Sequence, residues 1–216
     1  MFTSTDNLVD IYLQTGGVAT DLAYLFRQYT ELSRKYHNTQ HLAHMIHVLM
    51  EYFEDSDITY SEWLKLLDVE NVILAIYWHD IIHDINRTDN EEKSAELMRI
   101  HLDYLPIEKV DKISKYIMVT NGHDVTSITL DPPSKLMIYL DLAILASEPD
   151  AYDSYIYNLR LEYNISDLAW KHGRRKFLKS MLAREAIFPS GLYLPKRLET
   201  VARKNMSKEL KDLGKF

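Results

Sequence analysis

The chain has 216 residues, is 46% hydrophobic and carries a formal net charge of -7. That length suits one sizeable domain with its own core, the apolar share excludes a disordered chain, and the acidic balance argues against nucleic acid as the main partner, though not against a nucleotide whose charge a metal meets. There is no cysteine, which excludes disulfides and thiolate metal sites; Met1 to Asp10 lacks a signal-peptide pattern and no stretch reaches the ~18 apolar residues of a membrane span, so a soluble, cytoplasmic protein with no membrane partner is expected.

Only six glycines and six prolines punctuate the chain, a scarcity that favours long helices over strand-rich folds. Gly16-Gly17 breaks a short N-terminal helical segment, and a second helix is expected from about Ala19 to Ser33. Asn38 or Thr39 can cap a third, whose apolar residues Leu42, Met45, Ile46, Leu49 and Phe53 fall at helical spacing. Asp55 to Asp68 is polar and reads as a loop with a short helix. Val69 to His83 reads as a helix apolar on most sides, which is the pattern of a buried one. Asp89 or Asn90 starts the next helix, with Glu91 and Glu92 suited to the dipole of its first turn. Pro106 opens a helix to about Asn121 that Gly122 closes, and Pro132-Pro133 opens one through Ile144. Further helices are expected over Pro149 to Tyr163, Asp167 to Ala186 and Pro195 to about Leu213. No repeat, low-complexity tract or linker interrupts the series, so residues 1-216 are expected to form one all-α domain.

Three places in this series carry chemistry. Trp78-His79-Asp80 puts a carboxylate beside an imidazole in an apolar helix, which is costly unless a metal or a mutual hydrogen bond satisfies both. His37, His41 and His44 are spaced by four and three and share a helical face if the helix starts early enough; one of them is expected to bind metal, with a solvent-facing polar stripe as the plainer reading. His41 is the first choice, because it sits at the edge of the buried side set by Leu42, Met45, Ile46 and Leu49. Asp141 interrupts the apolar run Tyr139 to Leu145, and a buried carboxylate needs a cation or several donors; an arginine partner would serve as well as a metal.

A histidine, a His-Asp dyad and a distant Asp, all on helices, resemble the HD superfamily of metal-dependent phosphohydrolases. The similarity extends to Tyr36-His37-Asn38, Asp89-Asn90-Glu91-Glu92 with Ser94-Ala95, Thr120 to His123, Leu140 to Leu145, Arg160 with Glu162-Tyr163, Gly173-Arg174, and Glu199 with Ala202-Arg203 and Asn205. It covers roughly residues 22 to 210. The resemblance implies an HD-type helical bundle in which His41, His79, Asp80 and Asp141 hold one divalent cation. Mixed nitrogen and oxygen ligands suit Mn, Co, Ni or Fe, and Mg less naturally. It further implies a phosphoester or phosphoanhydride of a small molecule, a nucleotide above all, as substrate, with water activated by the metal. Asp84 and Glu91 are the candidate proton-transfer carboxylates, and His123 is expected near the substrate. His37, Arg174 and Arg203 are expected at the substrate, with Arg160 a weaker candidate. Each arginine can instead pair with Glu162 or Glu199 inside the fold. His83 departs from the pattern, where an aromatic residue is expected; it reads as a surface residue, a substrate contact or an additional ligand. Two other functions stay open. One is a nucleotide-sensing module without turnover, and the other a di-iron oxygenase, for which His101 would have to be a ligand.

Overall fold

The computed structural model describes residues 5–54, 67–127 and 129–214. Among them are ten α-helices and no strand: α1 Thr5–Gln14, α2 Ala19–Tyr29, α3 Thr39–Glu54, α4 Val69–Trp78, α5 Asn90–His101, α6 Ile107–Met118, α7 Pro132–Leu142, α8 Pro149–Glu162, α9 Asp167–Ala183 and α10 Arg197–Asp212, with a 3₁₀ turn at Ala143–Ala146 between α7 and α8. The fold is thus all-α, as the sequence indicates. The loop expected over Asp55 to Asp68 lies almost wholly outside the described residues.

Helix α4 is the axis of the molecule. All its residues but Glu70 are buried, and it packs against α1, α3, α5, α6 and α7. Its aromatic end is fixed by polar tips. Tyr77 donates its hydroxyl to the Leu8 carbonyl at 2.6 Å, and Trp78 donates its indole N–H to the Tyr12 hydroxyl at 3.2 Å. The second half of the chain closes around the 3₁₀ turn, against which α8 and α10 pack.

Several helices end sooner than their sequence pattern suggests, with side chains bonded to carbonyls near the ends. The Thr30 backbone N–H and hydroxyl both donate to the Phe26 carbonyl, at 2.9 and 2.6 Å, and α2 stops at Tyr29 rather than near Ser33. Helix α4 stops at Trp78 rather than His83. The Arg34 guanidinium donates to the carbonyls of Asp80 at 2.6 Å and Ile81 at 2.8 Å, in the turn that follows the helix. The dyad therefore sits just past a helix end, and His83 does not share a helical face with His79. Helix α7 tightens into the 3₁₀ turn one residue after Asp141. Asn205 there donates to the carbonyls of Leu145 at 3.1 Å and Ser147 at 2.9 Å.

No helix among the described residues is long and apolar enough to cross a membrane.

Candidate metal centre

The implied quartet comes from three places in the fold. His41 stands in the first turn of α3, where Asn38 accepts the Gln40 N–H at 2.8 Å and so starts the helix. His79 and Asp80 follow the end of α4, and Asp141 lies in the last turn of α7. Their ligand atoms converge. His41 Nε2 is 3.2 Å from His79 Nε2 and 3.3 Å from Asp141 Oδ1. Asp80 Oδ2 is 3.2 Å from His79 Nε2 and 3.8 Å from His41 Nε2, and His79 Nε2 is 3.8 Å from Asp141 Oδ1. Ligand atoms that share a cation through bonds of about 2.1 Å stand about 3 to 4 Å apart, the spacing of this set.

The chemistry of the donors fits a cation as well as their spacing does. His79 Nδ1 faces the Ile76 carbonyl at 2.9 Å, and a carbonyl can only accept, so Nδ1 carries the hydrogen. A neutral His79 therefore presents the lone pair of Nε2 to the other three residues, in the orientation that a backbone carbonyl commonly imposes on a metal-binding imidazole. Without a cation this assembly gathers protons instead. Burial opposes a charge on His79, but the adjacent Asp80 and Asp141 outweigh it and raise its pKa to about 9. Burial likewise pushes Asp80 and Asp141 up, yet the surrounding histidines hold both well below the usual carboxylate range. The centre is a concentration of negative potential that calls for positive charge. The described residues thus contain His/Asp groups able to hold a metal, of which His41, His79 and Asp141 form one.

Of His37, His41 and His44, His41 stands in this cluster, while His37 precedes α3 and does not share a helical face with the other two. His44 lies beyond the cluster, its Nε2 buried without a hydrogen-bond partner, and burial lowers its pKa to about 4. His47 faces the exposed Glu51 at 3.3 Å.

A cavity of about 460 Å³ opens onto the centre. Asp80 and Asp141 line it together with His37, His83, Glu91 and His123, whereas His41 and His79 lie behind this wall. Its far side is apolar and aromatic, formed by Leu142, Leu145, Leu159, Trp170 and Phe177 among others. His123 meets Asp141 Oδ2 through Nε2 at 2.6 Å. It takes a left-handed backbone, φ 49°, straight after Gly122 at φ 71°, a conformation uncommon for a side-chain-bearing residue and one that favours glycine. Arg184 secures this turn by donating to the carbonyls of His123 at 2.7 Å and Gly122 at 2.9 Å.

Other expected site residues are placed elsewhere. Asp84 does not reach the cavity: its exposed carboxylate accepts from the backbone and side-chain amides of Asn86. Arg203 does not line it either. It donates to Glu199 at 2.7 Å and to the carbonyls of Leu182, Arg184 and Glu185, so it braces the segment that carries Arg184. Arg174 lines the cavity, but its guanidinium is committed to both oxygens of the buried Glu209, at 2.7 and 3.0 Å, and to the Tyr155 hydroxyl. Arg160 pairs within the fold as the plainer reading holds, with Asp167 rather than Glu162 or Glu199. His101 faces Asp21 at 3.0 Å and packs against Tyr24 and Trp78; it does not line the cavity.

Two residues of the centre escape a reading of the sequence for ligands. Arg34 shapes the turn bearing the dyad. Glu162 accepts the backbone N–H groups of Tyr36 and His37, at 2.9 and 3.0 Å, and also meets His37 Nδ1. Neither has a local signal, since their partners are some 46 and 125 positions away.

No family model, curated protein or solved structure matches the chain.

Proposed function

We propose that the protein is a metal-dependent phosphohydrolase of the HD type, acting on a phosphoester or phosphoanhydride of a small molecule, a nucleotide above all, with His41, His79, Asp80 and Asp141 as the metal ligands. The observation that carries the reading is the convergence of two buried imidazoles and two carboxylates at the cavity wall, with His79 held by Ile76 in the tautomer that aims a lone pair inward. A divalent cation of the Mn, Co, Ni, Fe or Mg class held there would polarise a phosphoryl oxygen and lower the pKa of water. The chain's own residues supply the rest. His123 fixes the orientation of Asp141 and lines the cavity, where it can give a proton to a departing oxygen. Glu91 lines the same cavity and Asp84 does not, which favours Glu91 as the carboxylate that would take a proton from water. Trp170, Phe177 and Leu159 offer the apolar surface on which a base or another ring stacks.

A nucleotide-sensing module without turnover is the second reading, and a di-iron oxygenase the third. The engagement of His101 with Asp21 weighs against the oxygenase. The test is phosphate release from nucleoside mono-, di- and triphosphates and simple phosphomonoesters, each with Mn, Co, Ni, Fe or Mg. Metal-dependent turnover of at least one compound, lost in Asp141→Asn, is expected. Nucleotide binding with no turnover under any metal would favour the sensor.

A further inference from the structure

Beside the first group lies a second one that the mechanism above leaves unused. His37, Asp80 and His83 each offer one ligand atom, all within 4.8 Å of one another. Asp80 belongs to both sets. Its Oδ2 is 3.2 Å from His79 Nε2 on one side and 3.9 Å from His37 Nε2 on the other.

The hydrogen-bond inventory shows why this second group is unsatisfied as it stands. Glu162 accepts two backbone N–H groups, which marks it as the acceptor toward His37 Nδ1 as well. Nδ1 therefore carries the hydrogen, and a neutral His37 turns the lone pair of Nε2 toward Asp80 Oδ2. Acceptor then faces acceptor, at 3.9 Å, too far for a hydrogen bond if a proton stood between them. The separation does suit two ligands of one cation. A carboxylate orienting a ligand imidazole through its other nitrogen is also the usual support of a metal site. His83 stands beside His37, and its ring stacks on that of His37 with centroids 3.9 Å apart. Its Nε2 is buried without a hydrogen-bond partner, 3.0 Å from the Glu162 Oε1 carboxylate oxygen.

Charge gives a second, separate argument. Asp80, Asp141 and Glu91 line the cavity, and Glu162 stands behind His37 and His83. Arg174 is the one arginine or lysine lining it among the described residues, and Glu209 already takes its charge. One divalent cation leaves this wall negative, a poor surface for a phosphate. The second group lies on the cavity side, where further positive charge would meet the substrate, whereas His41 and His79 lie behind.

We infer that His37, Asp80 and His83 form a second divalent-cation site, with Asp80 shared between the two sites and Glu162 positioning the His37 imidazole. The inference rests on the first group being a metal centre, because Asp80 links them. It reassigns His37 from a substrate contact to a ligand and makes His83 an additional ligand.

The test is metal content at equilibrium, by dialysis of the whole protein against Mn(II) followed by elemental analysis, with electron paramagnetic resonance on the same samples. Wild type should hold two equivalents and show the spectrum of an exchange-coupled Mn pair. His83→Phe should hold one equivalent with an uncoupled spectrum. His37→Gln should do the same, since its amide can still donate to Glu162 while the ring lone pair is gone. Helical circular dichroism should be unchanged in both. One equivalent in wild type overturns the second site and spares the first. No metal in wild type overturns both. Two equivalents retained in both variants would place the second cation elsewhere and overturn this assignment.

Discussion

A single buried side chain can report on the cost of keeping a polar group in an apolar setting, and His44 does so here. Its Nε2 has no partner, and burial, aided by the nearby His41 and His47, lowers its pKa to about 4. The unfolded chain therefore takes up this proton first, near the ordinary value of about 6.5. Stability owed to His44 is complete above that pH and declines as pH falls toward 4, by roughly 3 kcal/mol over the interval. His44→Leu should flatten the decline, so urea unfolding at pH 7 and pH 4.5 should differ less in the variant than in wild type. An equal pH dependence in the two proteins would show that His44 is not the group that titrates. At this scale the sequence is most legible where a charge interrupts an apolar pattern. Asp141 within Tyr139 to Leu145, and His79-Asp80 after Trp78, stand out because such placements demand compensation. Glu162 does not stand out, since a carboxylate near the end of a polar helix is ordinary and its importance comes from His37 and His83, far away in the chain.

Among the elements, the termination of α4 matters most to the site. An uninterrupted helix from Val69 to His83 would turn successive side chains by a fixed angle, and the sequence pattern implies such a helix. The helix ends instead at Trp78, Arg34 holds the carbonyls of Asp80 and Ile81 in the turn that follows, and in that turn Asp80 approaches both His79 and His37. Arg34→Met keeps the length of the side chain and removes its donors. Two buried carbonyls would lose charged hydrogen bonds worth about 1.5 to 3 kcal/mol each. A lower melting temperature is expected, and with it weaker Mn(II) binding by titration calorimetry, since the turn no longer holds the dyad. If the variant melted lower but bound Mn(II) as wild type does, the turn would be a structural feature alone. The existence and order of the helices were readable from periodicity, capping residues and proline positions. The ends of α8 and α10 were readable to within a residue or two, whereas α4 stops well short of His83, and the turn after it is held by Arg34, some 46 positions away in the chain.

For the molecule as a whole, the fold brings charges of one sign to one place and leaves an apolar recess beside them. The chain has 32 acidic and 25 basic residues. Its interior carboxylates Asp80 and Asp141 are arranged around histidines rather than around lysine or arginine. Such an arrangement is expensive in an empty protein and stable in one that binds cations. The arginines that the sequence offered as phosphate contacts turn out to have structural employment, Arg203 with Glu199 and Arg174 with Glu209. A ligand bound only by the folded state stabilises it by RT ln(1 + [L]/Kd), about 2.7 kcal/mol at a hundredfold excess over Kd, or roughly 5 to 10 °C in melting temperature for a chain of this size. The most direct measurement of the metal centre is therefore thermal melting of wild type and Asp80→Asn in Mn(II), each with and without a chelator. A metal ligand at Asp80 predicts that the chelator lowers the melting temperature of wild type by several degrees and leaves Asp80→Asn nearly unmoved. A chelator response of the same size in both proteins, with Asp80→Asn simply melting lower throughout, would contradict it and make the dyad a structural hydrogen-bonded pair.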